Sequence, residues 1–150
     1  MIDDSLSRRI IVYAAMSGAI GVAIGAYGAH GLESFLISRE QSGDESPEGS
    51  RERGPELIAK RLDQFDVGVR YHLVHSVALL ALASVPFGSP ASRHWVSRFF
   101  LAGLLLFSGS LYALVLSDTP WLGAITPIGG LAWILGWLTL VLVARRTSTA

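Results

Sequence analysis

Four long stretches of the chain contain no Asp, Glu, Lys or Arg: residues 10–29, 71–92, 99–117 and 121–144. A charge at the centre of a membrane helix costs roughly 2.5–3.5 kcal/mol even on lenient insertion scales, so four cleared stretches in one short chain point to lipid as the solvent. A water-soluble bundle would need a polar face recurring along every helix, and none of the four stretches carries one. Composition agrees, with 51% apolar and 16% charged residues. Formal charge is zero, which offers no basic surface to nucleic acid. The absence of cysteine excludes disulfides, thiolate metal sites and thiol redox chemistry.

The expected fold is all-α, an integral membrane bundle of four transmembrane helices forming a single domain over 1–150, with spans at about 10–29, 71–87, 99–117 and 125–144. At about 1.5 Å per residue, Ile10 to Ala29 covers about 30 Å, the thickness of the hydrocarbon core. The second span is broken early by Pro86, Gly88, Ser89 and Pro90, and it is expected to begin inside a longer helix. Pro55 can start that helix. Ile58, Leu62, Phe65 and Val69 form one face and Glu56, Lys60, Arg61, Asp63 and Asp66 another, the pattern of an amphipathic interfacial helix. Thr126 before Pro127 reads as the N-cap of the last span. The tract from about 38 to 54, SREQSGDESPEGSRERG, has no apolar residue and is expected to be a disordered insertion.

Ser7, Arg8 and Arg9 resemble a twin-arginine export signal, but an apolar region of about 20 residues exceeds the 7 to 15 usual for a signal peptide. The segment is therefore expected to stay as the first helix. Arg8, Arg9, Arg145 and Arg146 flank the outermost spans, and Arg93 and Arg98 fall on the same side. The positive-inside rule then puts both termini in the cytoplasm of a multi-pass protein of the cytoplasmic (inner) membrane. Ser17, Gly21, Gly25 and Ala29 form a ladder of small residues flanked by Gly18 and Gly28, and Gly129 lies in the last span. These are helix-packing positions, read first as internal contacts and second as a self-dimerising face.

The strings GAYGAHGL at 25–32, VRYHLVHSVALL at 69–80, LFSGSLYAL at 106–114 and LGAITPIGGLAWILGW at 122–137 resemble domain-of-unknown-function family 423, whose eukaryotic relatives are called transmembrane protein 256. The resemblance implies a four-helix integral membrane protein, in bacteria of the cytoplasmic membrane, without an assigned activity. The tract from Ser38 to Gly54 departs from the pattern, as an insertion in a usually shorter loop.

With four spans, the motif regions share one half of the membrane. His30, His72, His75, Ser108, Ser110, Tyr112 and Thr126 would converge near the non-cytoplasmic face, with Glu33, Asp66 and Asp118 at the rim. Such a cluster is a site candidate. The reading favoured over it has the hydroxyls bonding helix carbonyls or cross-helix partners, with the histidines as interfacial anchors. His30, His72 and His75 are weak metal candidates, since three imidazoles without a tight spacing motif seldom mark a site; no metal or other cofactor is expected.

No acid lies within a span to couple proton transport, and no nucleophile, base and orienting acid stand at a diagnostic spacing, so an enzyme is not expected. Two functions remain. The first is a structural or assembly protein whose partners are the lipid bilayer and a second copy or another membrane protein; the second is a binding or permeation protein that uses the polar cluster.

Overall fold

Long apolar runs free of internal breakers propagate as helix, because each added residue closes a hydrogen bond once a turn exists. A computed structural model describes residues 4–42, 47–85 and 88–147, and every regular element among them is helical. Helix α1 is Asp4–His30, α2 Leu32–Ser42 and α3 Pro47–Ala83. Helix α4, Pro90–Gly103, passes through a π-helical stretch, Leu104–Gly109, into α5, Ser110–Ser117. A 3-10 turn, Pro120–Ala124, leads to α6, Thr126–Thr147.

Among the described residues, three helices are long and apolar enough to cross a membrane: Ser5–His30, Pro90–Ser117 and Pro120–Arg145. The expected count of four is not reached on length and composition. The missing stretch, 71–87, is the carboxyl-terminal part of α3 up to Ala83, where Arg70, His72 and His75 dilute the apolar run; residues 86 and 87 lie outside the described residues.

Three boundaries differ from expectation. Helix α3 starts at Pro47 rather than Pro55, which sits inside it, because the glutamates and arginines ahead of Pro55 are good helix formers and extend an existing helix cheaply. The tract expected to be disordered is accordingly helical over 38–42 and 47–54, while 43–46 lie outside the described residues. The third span begins at Pro90, in the first turn of α4, with Ser89 as N-cap accepting from the Ser92 amide at 3.2 Å. The apolar face of the segment expected to lie at the interface packs on the bundle. Phe65 is buried and Ile58, Leu62 and Val69 pack with it against Leu32, Leu36, Tyr112, Leu114 and Val115.

Two antiparallel seams organise the bundle, and glycine sets both. Along α1 and α3, a Cβ on Gly21 would meet Leu73 and His72, one on Gly25 would meet Val69 at 3.0 Å, and one on Gly28 would meet Phe65 at 2.9 Å. Along α4–α5 and α6, Gly129 lies against the backbone of Phe107, Gly103 against the Trp133 ring and Gly136 against Phe100. A missing Cβ lets helices approach until dispersion replaces the hydrophobic effect that lipid cannot supply. Outward, large apolar side chains such as Val22, Val77, Leu105, Leu131 and Leu142 are exposed, the surface expected of helices facing acyl chains.

The two seams differ in what a side chain would strike. At Gly25 it meets the tip of Val69, which can turn away; at Gly129 a Cβ would run into the backbone of Leu106 and Phe107, and backbone cannot move alone. Gly129→Ala is expected to destabilise the detergent-solubilised protein by about 1–3 kcal/mol and Gly25→Ala by clearly less, measured as denaturation midpoints. Equal midpoints for the two variants would show that the α6 seam is not held at backbone distance.

Candidate functional site

The candidate residues are distributed by register. Ser17 lies opposite His72 and Gly28 opposite Phe65, so α1 runs antiparallel to α3. His30, thirteen residues beyond Ser17, is therefore about 20 Å along the axis from His72. His30 is exposed at the end of α1, and no group of three His, Cys, Asp or Glu among the described residues could hold a metal ion. The expected convergence of the three histidines does not occur, because His72 faces the middle of α1 rather than its end.

His72 is buried and bridges two helices. Its Nε2 lies 3.0 Å from the Ser17 carbonyl and 3.0 Å from Ser17 Oγ, and its Nδ1 lies 3.2 Å from the Tyr112 hydroxyl. A carbonyl can only accept, so Nε2 carries the proton and Nδ1 accepts from Tyr112. Ser76 donates to the His72 carbonyl at 2.9 Å and Ser17 donates to Ser76 Oγ at 2.7 Å. Each donor of this network thus has an acceptor on α1 or α3. Gly21 makes the reach achievable, since a Cβ there would stand 3.2 Å from the imidazole.

His75, three residues on, faces the other way. Its Nδ1 donates to the Tyr71 carbonyl at 2.9 Å, which leaves Nε2 to accept from Trp137 Nε1 at 3.4 Å. The ring stacks on Trp133 with centroids 3.7 Å apart and planes 4° from parallel, and Trp133 in turn donates to the Phe100 carbonyl at 3.1 Å. Both nitrogens of both buried histidines are thus engaged within the bundle.

Ser110 and Thr126 form a separate pair at 2.8 Å, which joins α5 to α6. The Thr126 hydroxyl therefore ties two helices together instead of capping one. Ser108 is 0% exposed and its Oγ has no hydrogen-bond partner. It lies in the π-helical stretch, where pairing shifts from the fourth to the fifth preceding carbonyl and takes the usual acceptor of a helical serine out of line.

Two arginines lock the ends of the bundle. Arg93, buried in the first turn of α4, donates to the Ala83 carbonyl at 2.9 Å, the Leu82 carbonyl at 3.3 Å and Ser7 Oγ at 2.9 Å. It thereby caps the carboxyl end of α3 and ties α1 to it. At the other end, buried Arg61 bonds Asp118 at 2.6 Å, and Arg39 donates to the Leu116 carbonyl at 2.9 Å. Asp118, at φ 50°, ends α5 in the left-handed region. Of the expected rim acids, Asp118 is thus committed to Arg61, and Asp66 pairs with Arg70.

Sequence reasoning missed Ser76, Trp133, Trp137 and the two buried arginines as members of these networks. The signal for Ser76 was its spacing of four from His72, which puts both on one helix face.

With this geometry in view, the comparisons decide the family. Residues 24–130 match the family described as "Protein of unknown function (DUF423)". The chain belongs to this family. Among its relatives are a UPF0382 membrane protein of Staphylococcus saprophyticus, 34% identical over 90% of this chain and 95% of its own, and the UPF0382 membrane protein YwdK of Bacillus subtilis, 33% identical over 93% and 98%. The UPF0382 inner membrane protein YgdD of Escherichia coli is 33% identical over 93% of this chain and 92% of its own. No solved structure shows a significant match.

The His72 network makes a specific energetic claim. Tyr112→Phe leaves Nδ1 buried without its donor and Ser17→Ala removes a hydroxyl between two partners, each expected to cost about 1–3 kcal/mol in detergent unfolding. The double variant should cost less than the sum, since the two act through one imidazole. Strict additivity would show that His72 does not couple α1 to α5.

Proposed function

We propose that the chain is a structural or assembly protein of the cytoplasmic membrane, crossing it four times with the carboxyl-terminal part of α3 as the second span, and acting through its surface toward lipid or a membrane partner rather than through an internal site. The observation that carries this reading is the engagement of the buried candidate polar groups with one another, Ser108 excepted: His72 with Ser17 and Tyr112, His75 with Tyr71 and Trp137, Ser110 with Thr126. A permeation path or metal site needs polar atoms left over to replace a solute's hydration, and a bundle interior whose imidazoles are spent on carbonyls and hydroxyls offers few. The names of the Bacillus and Escherichia relatives, a membrane protein and an inner membrane protein, agree with the placement. No catalytic role is proposed, because the buried hydroxyls have no acid, base and nucleophile in series.

A fourth crossing explains why α3 is so long. Its 37 residues span about 55 Å as helix, enough to cross about 30 Å of hydrocarbon and extend past it. One face of that half, with His72, His75 and Ser76, is buried against α1 and against α4, α5 and α6, while Tyr71, Val74, Val77 and Leu80 face outward, which is how a segment with two histidines can be held at membrane depth.

The topology predicts that single cysteines replacing Ser5, Gly49 and Ser148 react with an impermeant thiol reagent on intact cells only at position 49. Labelling at 5 and 148 would reverse the orientation, and labelling at one terminus but not the other would require an odd number of crossings. Zinc separates the structural reading from the binding one: with the imidazoles engaged, added zinc should leave the melting temperature of purified protein unchanged at neutral pH. A zinc-dependent rise lost in both His72→Ala and His75→Ala would favour a binding protein.

A further inference from the structure

We propose that a cleft between the amino-terminal turns of α1 and α4 holds the phosphate of an anionic lipid headgroup. The inference rests on the membrane placement above. The cleft is an open groove of about 280 Å³, lined by Ser5, Leu6 and Arg9 from α1 and by Pro90, Ala91 and His94 from α4. Its volume lies just below the range of about 300–1,000 Å³ that suits drug-sized solutes, and it accommodates a headgroup.

The walls are built, not incidental. Buried Arg93 donates to Ser7 Oγ from within the turn that carries Pro90, Ala91 and His94, so the two walls are tied by a hydrogen bond at 2.9 Å. That bond uses Arg93 inward and leaves the charge of the cleft to its neighbours. Neither Arg9 nor His94 has an ion-pair partner among the described residues. Asp3 and Asp4 are the only acids within about twenty residues of either wall in sequence. The amino terminus of α4 adds the positive end of its dipole to the same space, beside Pro90 and Ala91.

Depth and neighbouring surface select a lipid as the source of the phosphate. Along α1 below Arg9, the exposed side chains are Ile11, Val12, Tyr13 and Met16, a path for an acyl chain, with Tyr13 one turn from Arg9 on the same face. On α4, Trp95 is exposed and carries the Arg98 guanidinium 5.3 Å from its ring, an aromatic anchor of the kind that marks the headgroup level. A phosphate between Arg9 and His94 would thus have water above it and hydrocarbon contact below. A freely dissolved phosphate would use only half of that surface.

The full chain in nanodiscs of equimolar phosphatidylglycerol and phosphatidylcholine, examined by native mass spectrometry, tests the proposal. Phosphatidylglycerol should be retained over phosphatidylcholine by about fivefold or more, the equivalent of about one basic side chain acting at a membrane surface. Arg9→Gln and Ala91→Glu should each remove the preference, and Lys60→Gln, exposed on α3 far from the cleft, should keep it. Positions 9 and 91 are exposed, so both variants should fold, as far-UV circular dichroism will show. A preference that survives both substitutions overturns the proposal. So does a thermal stabilisation by inorganic phosphate in lipid-free detergent that equals the effect of phosphatidylglycerol, because the site would then take a soluble anion. A reversed cysteine-labelling pattern leaves the lipid preference intact, and loss of the preference leaves the labelling pattern intact, so the two readings fail separately.

Discussion

His72 reaches the backbone of α1 beside a residue that has no side chain. A Cβ at position 21 would crowd both Leu73 and the imidazole, at 2.8 and 3.2 Å; in its absence the ring puts one nitrogen on the Ser17 carbonyl and the other on Tyr112 of α5. In lipid no water is present to satisfy these groups, and an unmade hydrogen bond costs more than the bond contributes when made. The close approach of α1 and α3 is therefore both a packing and a polar requirement. A larger residue at position 21 would remove the contact and strand the histidine.

The same logic runs along the second seam. Gly129 brings α6 to the backbone of the π-helical stretch, and Gly103 opens α4 to the Trp133 ring. Trp133 then becomes the floor on which His75 stacks. Helix α3 is held from two sides by two histidines three residues apart, one turned to α1 and α5 and one to α4 and α6. At the ends of the bundle, Arg93 takes the last carbonyls of α3 and Arg61 reaches Asp118 at the end of α5. Each buried charge is tied to a helix terminus or an opposite charge, which is the condition for burying it at all. The outer face bears no such ties. It is apolar over α1 and α6 and carries basic side chains at the end where Arg9 and His94 line a cleft.

Charge-free runs and glycine placement in the sequence determined that the chain is helical, where its apolar helices lie, and which face of α1 is narrow enough for another backbone. Those properties are local: insertion cost depends on residue type, and close approach depends on the absence of a side chain. The family was legible from four short strings. Tertiary structure alone decided which helix fills the narrow face, that His72 and His75 point apart, that His30 joins neither, and that Thr126 ties α5 to α6 instead of capping a helix. Those outcomes turn on interhelical register, and a shift of one turn, about 5.4 Å, exchanges every polar partner without altering the hydrophobic pattern of any single helix. The buried arginines were hidden for a related reason. Arg93 and Arg98 read alike in the sequence as flanking charges, but only Arg93 faces the open carbonyls of α3, and which basic residue meets a helix end is fixed by where that helix stops in space.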